Sequence, residues 1–249
     1  MNVALYGRGA RRWTMTERRQ SALARDATTL TIGPSALSWD GSALTLQLDE
    51  IGVPLPQRVR GRIRLMPTAL NERSFTIDSA GQHHWMPIAP TARVEVELTH
   101  PSLRWRGHGY FDTNAGYEPI AGAFQSWDWS RADVSDGAVT LYDTVDATGA
   151  RRSIATRFHR SGGNEDFSPP PRMALPGTLW RVSRSTQAEQ ASASVVKTLE
   201  DTPFYARSIL KTRLYGEEVL AMHESLAAKR LETNWVRLLL PWRMPRRFI

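Results

Sequence analysis

Apolar and polar residues alternate in short runs through the first hundred residues, and turn residues close each run. In the run 43–49 every second residue from Leu44 is leucine, and the dipeptide Asp40-Gly41 before it is a strong hairpin signal. The runs 58–66 and 93–98 repeat this period of two. Because strand side chains point alternately to the two faces of a sheet, the pattern predicts half-buried antiparallel strands.

The second half of the chain continues the β pattern after a connection at 115–120. We predict strands from Phe124 onward and at 138–143, 152–158, 177–185, 193–199 and 206–215. The segment 161–176 contains consecutive prolines and is expected to be an exposed loop. The predicted fold class is all-β, with two antiparallel β-barrel halves at 1–114 and 115–225 and a short basic, apolar C-terminal segment at 226–249.

The amino-acid composition excludes several kinds of function. The chain has 249 residues, no cysteine and a formal net charge of +7. The lack of cysteine excludes disulfides and thiolate chemistry. Basic residues are spread along the chain without a nucleic-acid-binding motif, so we expect no nucleic-acid partner. No run of about 18 apolar residues is present to span a bilayer. The first residues lack the long apolar stretch of a secretory leader, which favours a cytoplasmic protein.

The stretch 104–114 concentrates polar and ionisable residues on one face of a predicted strand. These residues are Arg106, His108, Tyr110, Asp112 and Asn114. Glycines flank His108, and glycine in a strand often marks the close approach of a ligand. We therefore predict that this face lines a lumen, while a solvated outer face would show a similar pattern. Residues 112–114 are also good turn residues.

Several segments in order along nearly the whole chain resemble one protein family. They lie at 2–7, 15–18, 107–114, 127–132, 200–207, 222–226 and 240–245. Together they are similar to the bacterial carotenoid 1,2-hydratases, also called hydroxyneurosporene synthases. The resemblance implies a pair of lipocalin-like barrels. It also implies further strands before Asn2 in the usual family member, so we expect the first barrel half to be N-terminally incomplete.

The resemblance also implies a site. A His-x-Trp pair upstream of a Tyr-x-Asp pair is a feature of the family, and here it falls on His83, Trp85, Tyr110 and Asp112. On the residues alone, His83 is better explained as a loop histidine beside a packing tryptophan. His83 and His84 point to opposite sides of an extended chain, which disfavours a metal site.

The activity implied by the resemblance is addition of water to the terminal 1,2 double bond of an acyclic carotene of the lycopene or neurosporene type. Asp112, kept protonated by burial, is the predicted acid, and Trp85 is predicted to stabilise the cation. His83 or Tyr110 would orient the water or return the proton. The reaction needs no redox cofactor, so we expect no cofactor.

We assign His108, Trp127 and Trp129 to substrate binding, although tryptophans two apart on one strand face are more often core residues. Asp128 and Arg131 are expected to form a structural ion pair. Two other functions stay open: a lipocalin-like carrier of a long apolar ligand, and a different cofactor-free enzyme, such as a cyclisation catalyst, on the same fold. A carrier has no use for a buried neutral carboxylic acid. The presence of such an acid at Asp112 would therefore distinguish a hydratase from a carrier.

The end of the chain, 234–249, mixes apolar and basic residues. It contains Trp235 and Trp242 together with four arginines, Arg237, Arg243, Arg246 and Arg247. This composition is typical of an interfacial segment, and equally of a tail that covers a barrel edge. With a bilayer-soluble substrate, the first interpretation predicts a cytoplasmic protein held peripherally on the inner, intracytoplasmic membrane. Other enzymes of carotenoid synthesis are candidate partners.

Overall fold

The computed structural model describes residues 1–7, 9–52 and 55–243, with side chains described to Leu239. Two compact units are present. The first comprises Met1–Pro67, Ala92–Gly109 and the chain from Arg237, and the second comprises Thr68–Thr91 and Tyr110–Val236. This division differs from the predicted linear boundary at residue 114. The reason is that two long strands, 83–100 and 102–116, each contribute residues to both units.

Strands dominate both halves of the chain. Those before residue 117 are β1 Asn2–Leu5, β2 Arg12–Met15, β3 Leu23–Arg25, β4 Thr29–Ile32, β5 Ser35–Trp39, β6 Leu44–Ile51, β7 Arg58–Pro67, β8 Phe75–Thr76, β9 His83–His100 and β10 Ser102–Gly116. Those after it are β11 Phe124–Val134, β12 Gly137–Asp146, β13 Arg151–His159, β14 Asn164–Asp166, β15 Arg172–Leu175, β16 Arg184–Gln187, β17 Ser194–Asp201, β18 Tyr205–Leu214 and β19 Glu217–Leu226. The helices are α1 Ile120–Ala123 and α2 Asn234–Arg243, with 3-10 turns at Gln20–Ala22, Glu189–Ala191 and Ala228–Glu232.

Two large antiparallel sheets organise these strands. One has eight strands, in the order β10-β9-β7-β6-β5-β4-β3 with β8 paired to β9, and the other has seven, in the order β14-β13-β12-β11-β19-β18-β17. The predicted all-β antiparallel class is confirmed. Among the described residues each sheet is an open path of strands, so closure of either half into a barrel stays a prediction.

The first unit buries the residues that the alternation selects. Leu48, Val59, Val94, Val96 and Leu98 form its core. A charged group is buried with them in the same unit: Glu50 is 1% exposed and accepts hydrogen bonds from Thr16, Ser35 and Arg18 at 2.7, 2.7 and 2.9 Å. A buried carboxylate with three donors is compensated, so this cluster is structural.

The two faces of the seven-stranded sheet differ in chemistry. Register places five residues in one row across neighbouring strands: Arg207, Glu224, Trp129, Tyr142 and Ile154. Residues opposite each other in an antiparallel pair share a face, and Trp127 lies two residues before Trp129 on the same side. We call this side the aromatic face.

The opposite side of the sheet carries Asp128 and His223. Asp128 accepts hydrogen bonds from Ser185 at 2.6 Å and Ser225 at 2.5 Å, and it pairs with Arg172 at 3.0 Å. The predicted ion pair of Asp128 with Arg131 is therefore wrong. Residues three apart on a strand point to opposite faces, and Arg131 pairs instead with Asp133 at 2.7 Å.

Three further local predictions need correction. Residues 177–183 are not a strand: strand structure starts only at Arg184, and Arg181 has a left-handed φ of 55°. The predicted loop 161–176 contains the short strands β14 and β15. Residues 112–114 lie inside β10 and form no turn.

Candidate functional site

Three side chains of the second unit form a closed hydrogen-bonded triangle. Trp85 donates its indole N–H to Asp112 Oδ2 at 2.9 Å and lies 3.2 Å from the Tyr110 hydroxyl. Tyr110 donates its hydroxyl to the same Oδ2 at 3.0 Å. Three of the four residues predicted from the sequence are thus brought into direct contact.

Strand alternation explains this convergence. Trp85 belongs to β9, where His83, Trp85 and Pro87 are buried and the intervening residues are less so. Tyr110 and Asp112 are two apart on the neighbouring strand β10 and therefore share its face. The indole is fully buried, so its N–H needs a partner in the protein, and the Asp112 carboxyl group provides it.

The environment of Asp112 favours its neutral form. Burial raises the pKa of the Asp112 carboxyl group, and this effect exceeds the opposing hydrogen bonds from Trp85 and Tyr110. Burial also raises the pKa of Tyr110 far above its usual range. Tyr110 therefore stays a hydrogen-bond donor. Since both donors reach Oδ2, the acidic proton of Asp112 is expected on Oδ1.

Aromatic rings surround the triangle. The Tyr110 ring lies 5.2 Å from Trp129, and the Trp85 ring lies 5.2 Å from Phe75 and 5.5 Å from Tyr142. Trp127 is 6.4 Å from Tyr142 in an edge-on arrangement. The triangle is thus packed against the aromatic face, which provides apolar surroundings that disfavour the charged form of Asp112.

From the sequence, neither Tyr142 nor Arg131 was assigned to the site. The Arg131 guanidinium lies 5.7 Å from the centre of the Tyr110 ring and is held by the Pro90 carbonyl and Asp133. Arg131 lies on β11 and Tyr142 on β12, and these two strands pair with each other. Strand periodicity assigns each residue to a face of the sheet but does not show what that face contacts.

His83 is buried but contacts a different set of groups. Its Nε2 lies 3.1 Å from the Glu118 carbonyl, and its ring packs 4.9 Å from Phe124. Its Nδ1 lies 3.5 Å from Asp78, a carboxylate that also accepts the His83 backbone N–H. These contacts anchor the start of β9. A catalytic role for His83 stays a prediction.

The residues assigned to substrate binding differ in exposure. Trp129 is 9% exposed and Trp127 is half-buried, and both pack in the core cluster around Trp85. His108 is exposed and lies in the segment of β10 assigned to the first unit. Within the part of the chain that the structure describes, no group of three or more His, Asp or Glu side chains could hold a metal ion.

Fold and site together define the class of protein: an antiparallel β protein that holds a protonatable carboxyl group, fixed by an indole and a phenol, among aromatic rings. Residues 1–249 match the family model described as carotenoid hydratase CrtC. The chain belongs to this family.

Named relatives support the assignment. The acyclic carotenoid 1,2-hydratase of Thiocapsa roseopersicina is 55% identical over 248 residues, and that of Rubrivivax gelatinosus is 49% identical over 249 residues. Each comparison covers 99% of this chain and 61% of the relative, so the chain spans about three-fifths of their length. The Cereibacter sphaeroides protein of the same name is 38% identical, over 99% of this chain and 88% of its own.

A solved structure shares the fold. A crystal structure described as an AttH protein from Nitrosomonas europaea matches with a TM-score of 0.57 at 11% identity. The match covers 85% of this chain and 73% of the other. At this level of identity the similarity concerns the fold alone.

Proposed function

We propose that this chain adds water to the terminal 1,2 double bond of an acyclic carotenoid. The observation that carries the proposal is the partly buried Asp112, whose pKa is raised and whose Oδ2 accepts hydrogen bonds from Trp85 and Tyr110. Family membership and the names of the relatives supply the substrate class. A carrier of apolar ligands would gain nothing from a neutral carboxylic acid at this position.

The first step is protonation of the alkene. The Oδ1–H bond of Asp112 breaks as a C–H bond forms at C2, and the alkene electrons leave a tertiary cation at C1. Ring faces attract cations, each by about 1–2 kcal/mol in a desolvated site. Trp85, Trp127 and Trp129 are the rings we assign to this task, with Tyr110 holding the resulting Asp112 carboxylate.

The second step is capture of the cation by water, which forms the C1–O bond and gives a tertiary alcohol. C1 is formally oxidised and C2 is reduced by the same amount, so the net redox change is zero and the reaction requires no electron acceptor or donor. We assign His83 a positioning role, because its contacts with Glu118 and Phe124 fix the start of β9 two residues before Trp85. His108, Trp127 and Trp129 are proposed to contact the polyene chain.

We further propose that the protein works at a membrane surface, because a carotenoid dissolves in the bilayer. Leu179 is 91% exposed, and Trp180 stacks on Trp235 with ring centres 6.0 Å apart. In α2 the exposed residues Trp235, Leu238 and Leu239 have the spacing of one helix face. No helix in the described part of the chain is long and apolar enough to cross a membrane.

Four of the residues predicted to act at the membrane have no described side chain. Arg246 and Arg247 lie outside the described residues, and the side chains of Trp242 and Arg243 are not described.

Reaction in deuterium oxide tests the proposal. The full chain is incubated with lycopene in phospholipid vesicles, and the product is analysed by mass spectrometry and NMR. The expected product is a tertiary alcohol with one deuterium at C2, formed equally well after dialysis against a chelator. Absence of the alcohol, or its formation without deuterium at C2, would contradict the proposed chemistry.

A further inference from the structure

A second carboxyl group lies on the aromatic face, on the strand beside Trp129. Register places Glu224 of β19 opposite Trp129 on one side and opposite Arg207 on the other. Arg207 Nε and Nη2 lie 2.9 and 2.8 Å from Glu224 Oε1. Both contacts fall on the same carboxylate oxygen. The Glu224 carboxyl group is therefore held at a fixed position in the row that contains Trp129 and Tyr142.

Two buried hydrogen-bond donors lie on the same face as this carboxylate. The Trp129 indole N–H has no hydrogen-bond partner in the described part of the chain, whereas the Tyr205 hydroxyl interacts with Glu224 itself. Tyr205 lies two residues before Arg207 on β18 and so on the same face. Buried donors are normally paired, so the unpaired indole N–H on the strand beside Glu224 favours a place for a small polar molecule.

The carboxyl groups of Glu224 and Asp112 face the same rings. Tyr142 follows Trp129 in the row, and its ring lies 5.5 Å from Trp85, the partner of Asp112. Burial raises the pKa of Tyr142, and the nearby Glu224 adds to this effect. On the other side, the Tyr110 ring lies 5.2 Å from Trp129. One face thus presents a carboxyl group held by an indole and a phenol at Asp112 and a carboxyl group paired with arginine at Glu224, and such different environments suit two carboxyl groups with separate tasks.

We propose that Glu224 binds the water molecule that captures the cation and accepts a proton from it. This inference rests on the proposed function. As the water oxygen forms its bond to C1, one of its protons passes to Glu224, and exchange with solvent then reprotonates Asp112 and releases the proton from Glu224. The sum is one carotenoid and one water converted to one tertiary alcohol. Arg207 and Tyr205 are positioning residues for the Glu224 carboxyl group. The N–H of Trp129 donates to one lone pair of the water oxygen, and the other lone pair attacks C1.

The test separates protonation from water capture. The full-length variant Glu224→Gln is compared with wild type and with Glu218→Gln, using lycopene in phosphatidylcholine vesicles in deuterium oxide. Glu218 lies on the same strand and pairs with Lys211 of β18 at 2.8 Å, which makes it a matched control. For Glu224→Gln we expect alcohol formation to fall about 100-fold or more. Deuterium should still enter the recovered lycopene, because the cation then loses a proton instead of gaining water.

Two results would overturn the inference. One is alcohol formation by Glu224→Gln at the rate of Glu218→Gln. The other is loss of both alcohol and deuterium exchange in a Glu224→Gln protein that keeps its thermal transition. If that protein unfolds, Glu224→Asp replaces it, and the inference fails unless deuterated lycopene accumulates relative to alcohol. A wild-type chain that neither hydrates nor exchanges lycopene would refute the proposed function itself.

Discussion

Trp85 donates its indole N–H to Asp112 Oδ2 at 2.9 Å, and this bond fixes which carboxyl oxygen is available for chemistry. Tyr110 occupies the same oxygen, at 3.0 Å. Both donors act whether Asp112 is protonated or ionised. In the proposed reaction the neutral acid presents Oδ1–H to the substrate, and the carboxylate formed after proton transfer keeps two hydrogen bonds.

Asp112→Asn is expected to lower hydration of an acyclic carotene by at least about 100-fold while leaving the fold intact. The amide oxygen still accepts hydrogen bonds from Trp85 and Tyr110, but the amide cannot transfer a proton. Turnover and circular dichroism of the variant are compared with those of Asp136→Asn, a change at a half-exposed carboxylate paired with Arg157. Near wild-type turnover in folded Asp112→Asn would show that Asp112 is not the acid.

The raised pKa of Asp112 also predicts how stability depends on pH. Asp112 has a higher pKa in the folded protein than the value of about 3.9 for an unfolded chain. Between these values the folded state keeps a proton that the unfolded state has lost, so wild-type stability falls with pH by up to about 1.4 kcal/mol per unit from this group. The contribution is complete below about pH 3.9 and lost above the folded pKa.

The measurement that checks this is the difference in unfolding free energy between Asp112→Asn and wild type across pH. As pH rises through the folded pKa of Asp112, the unfolding free energy of the variant should increase relative to that of wild type. The contributions of the other titrating groups are the same in both proteins and cancel in the difference. Hydration by wild type should decline over the same range, since its acid is lost. A difference that stays constant with pH would contradict the burial effect.

Local pattern predicted most of the β structure but not the contacts between distant strands. The alternation around Leu46 identifies β6 because its residues bury one face. The stretch around Leu179 was also predicted to be a strand, yet it is an exposed turn. The residue types in a stretch do not reveal whether another surface covers it.

The same distinction applies to the site. Trp85, Tyr110 and Asp112 were found through the family resemblance, and strand periodicity then explains how they meet. Tyr142 required the register of β11 with the next strand, β12, and Glu224 required its register with the distant strand β19. Register between strands nearly a hundred residues apart depends on the whole packed sheet, which no local pattern encodes.

Gly116→Ala is expected to destabilise the second unit, because a Cβ at this position would overlap the buried His83 ring and lie 2.9 Å from its Nε2. The ring is held by Glu118 and Phe124, so relief requires displacement of the ring or of β10, at a cost of about 1–3 kcal/mol. Gly122→Ala is the matched control, since its Cβ would meet nothing within 4 Å. Equal urea midpoints for the two variants would show that His83 is not locked in place.

Removal of the chain after Val236 is expected to weaken membrane binding more than folding. The truncated chain keeps Val236, which is fully buried. It lacks the exposed Leu238 and Leu239 and the basic residues beyond them. Arginines contribute about 1 kcal/mol each at an anionic surface, and salt screens this attraction. Binding of the intact chain to anionic vesicles should therefore decline with ionic strength, and the truncated chain should bind weakly at every salt concentration.

Cosedimentation with vesicles measures this, with thermal unfolding as the control for the fold. The double variant Leu238→Ser/Leu239→Ser should reproduce most of the loss. Leu70→Ser makes the same polar change at another exposed leucine and should bind as wild type does. The opposite result would show that the segment covers a sheet edge. In that result the truncated chain aggregates or loses its thermal transition, while the fraction that stays folded still binds vesicles. The lipid contact would then lie elsewhere, with the exposed Leu179 and Trp180 as the next residues to substitute.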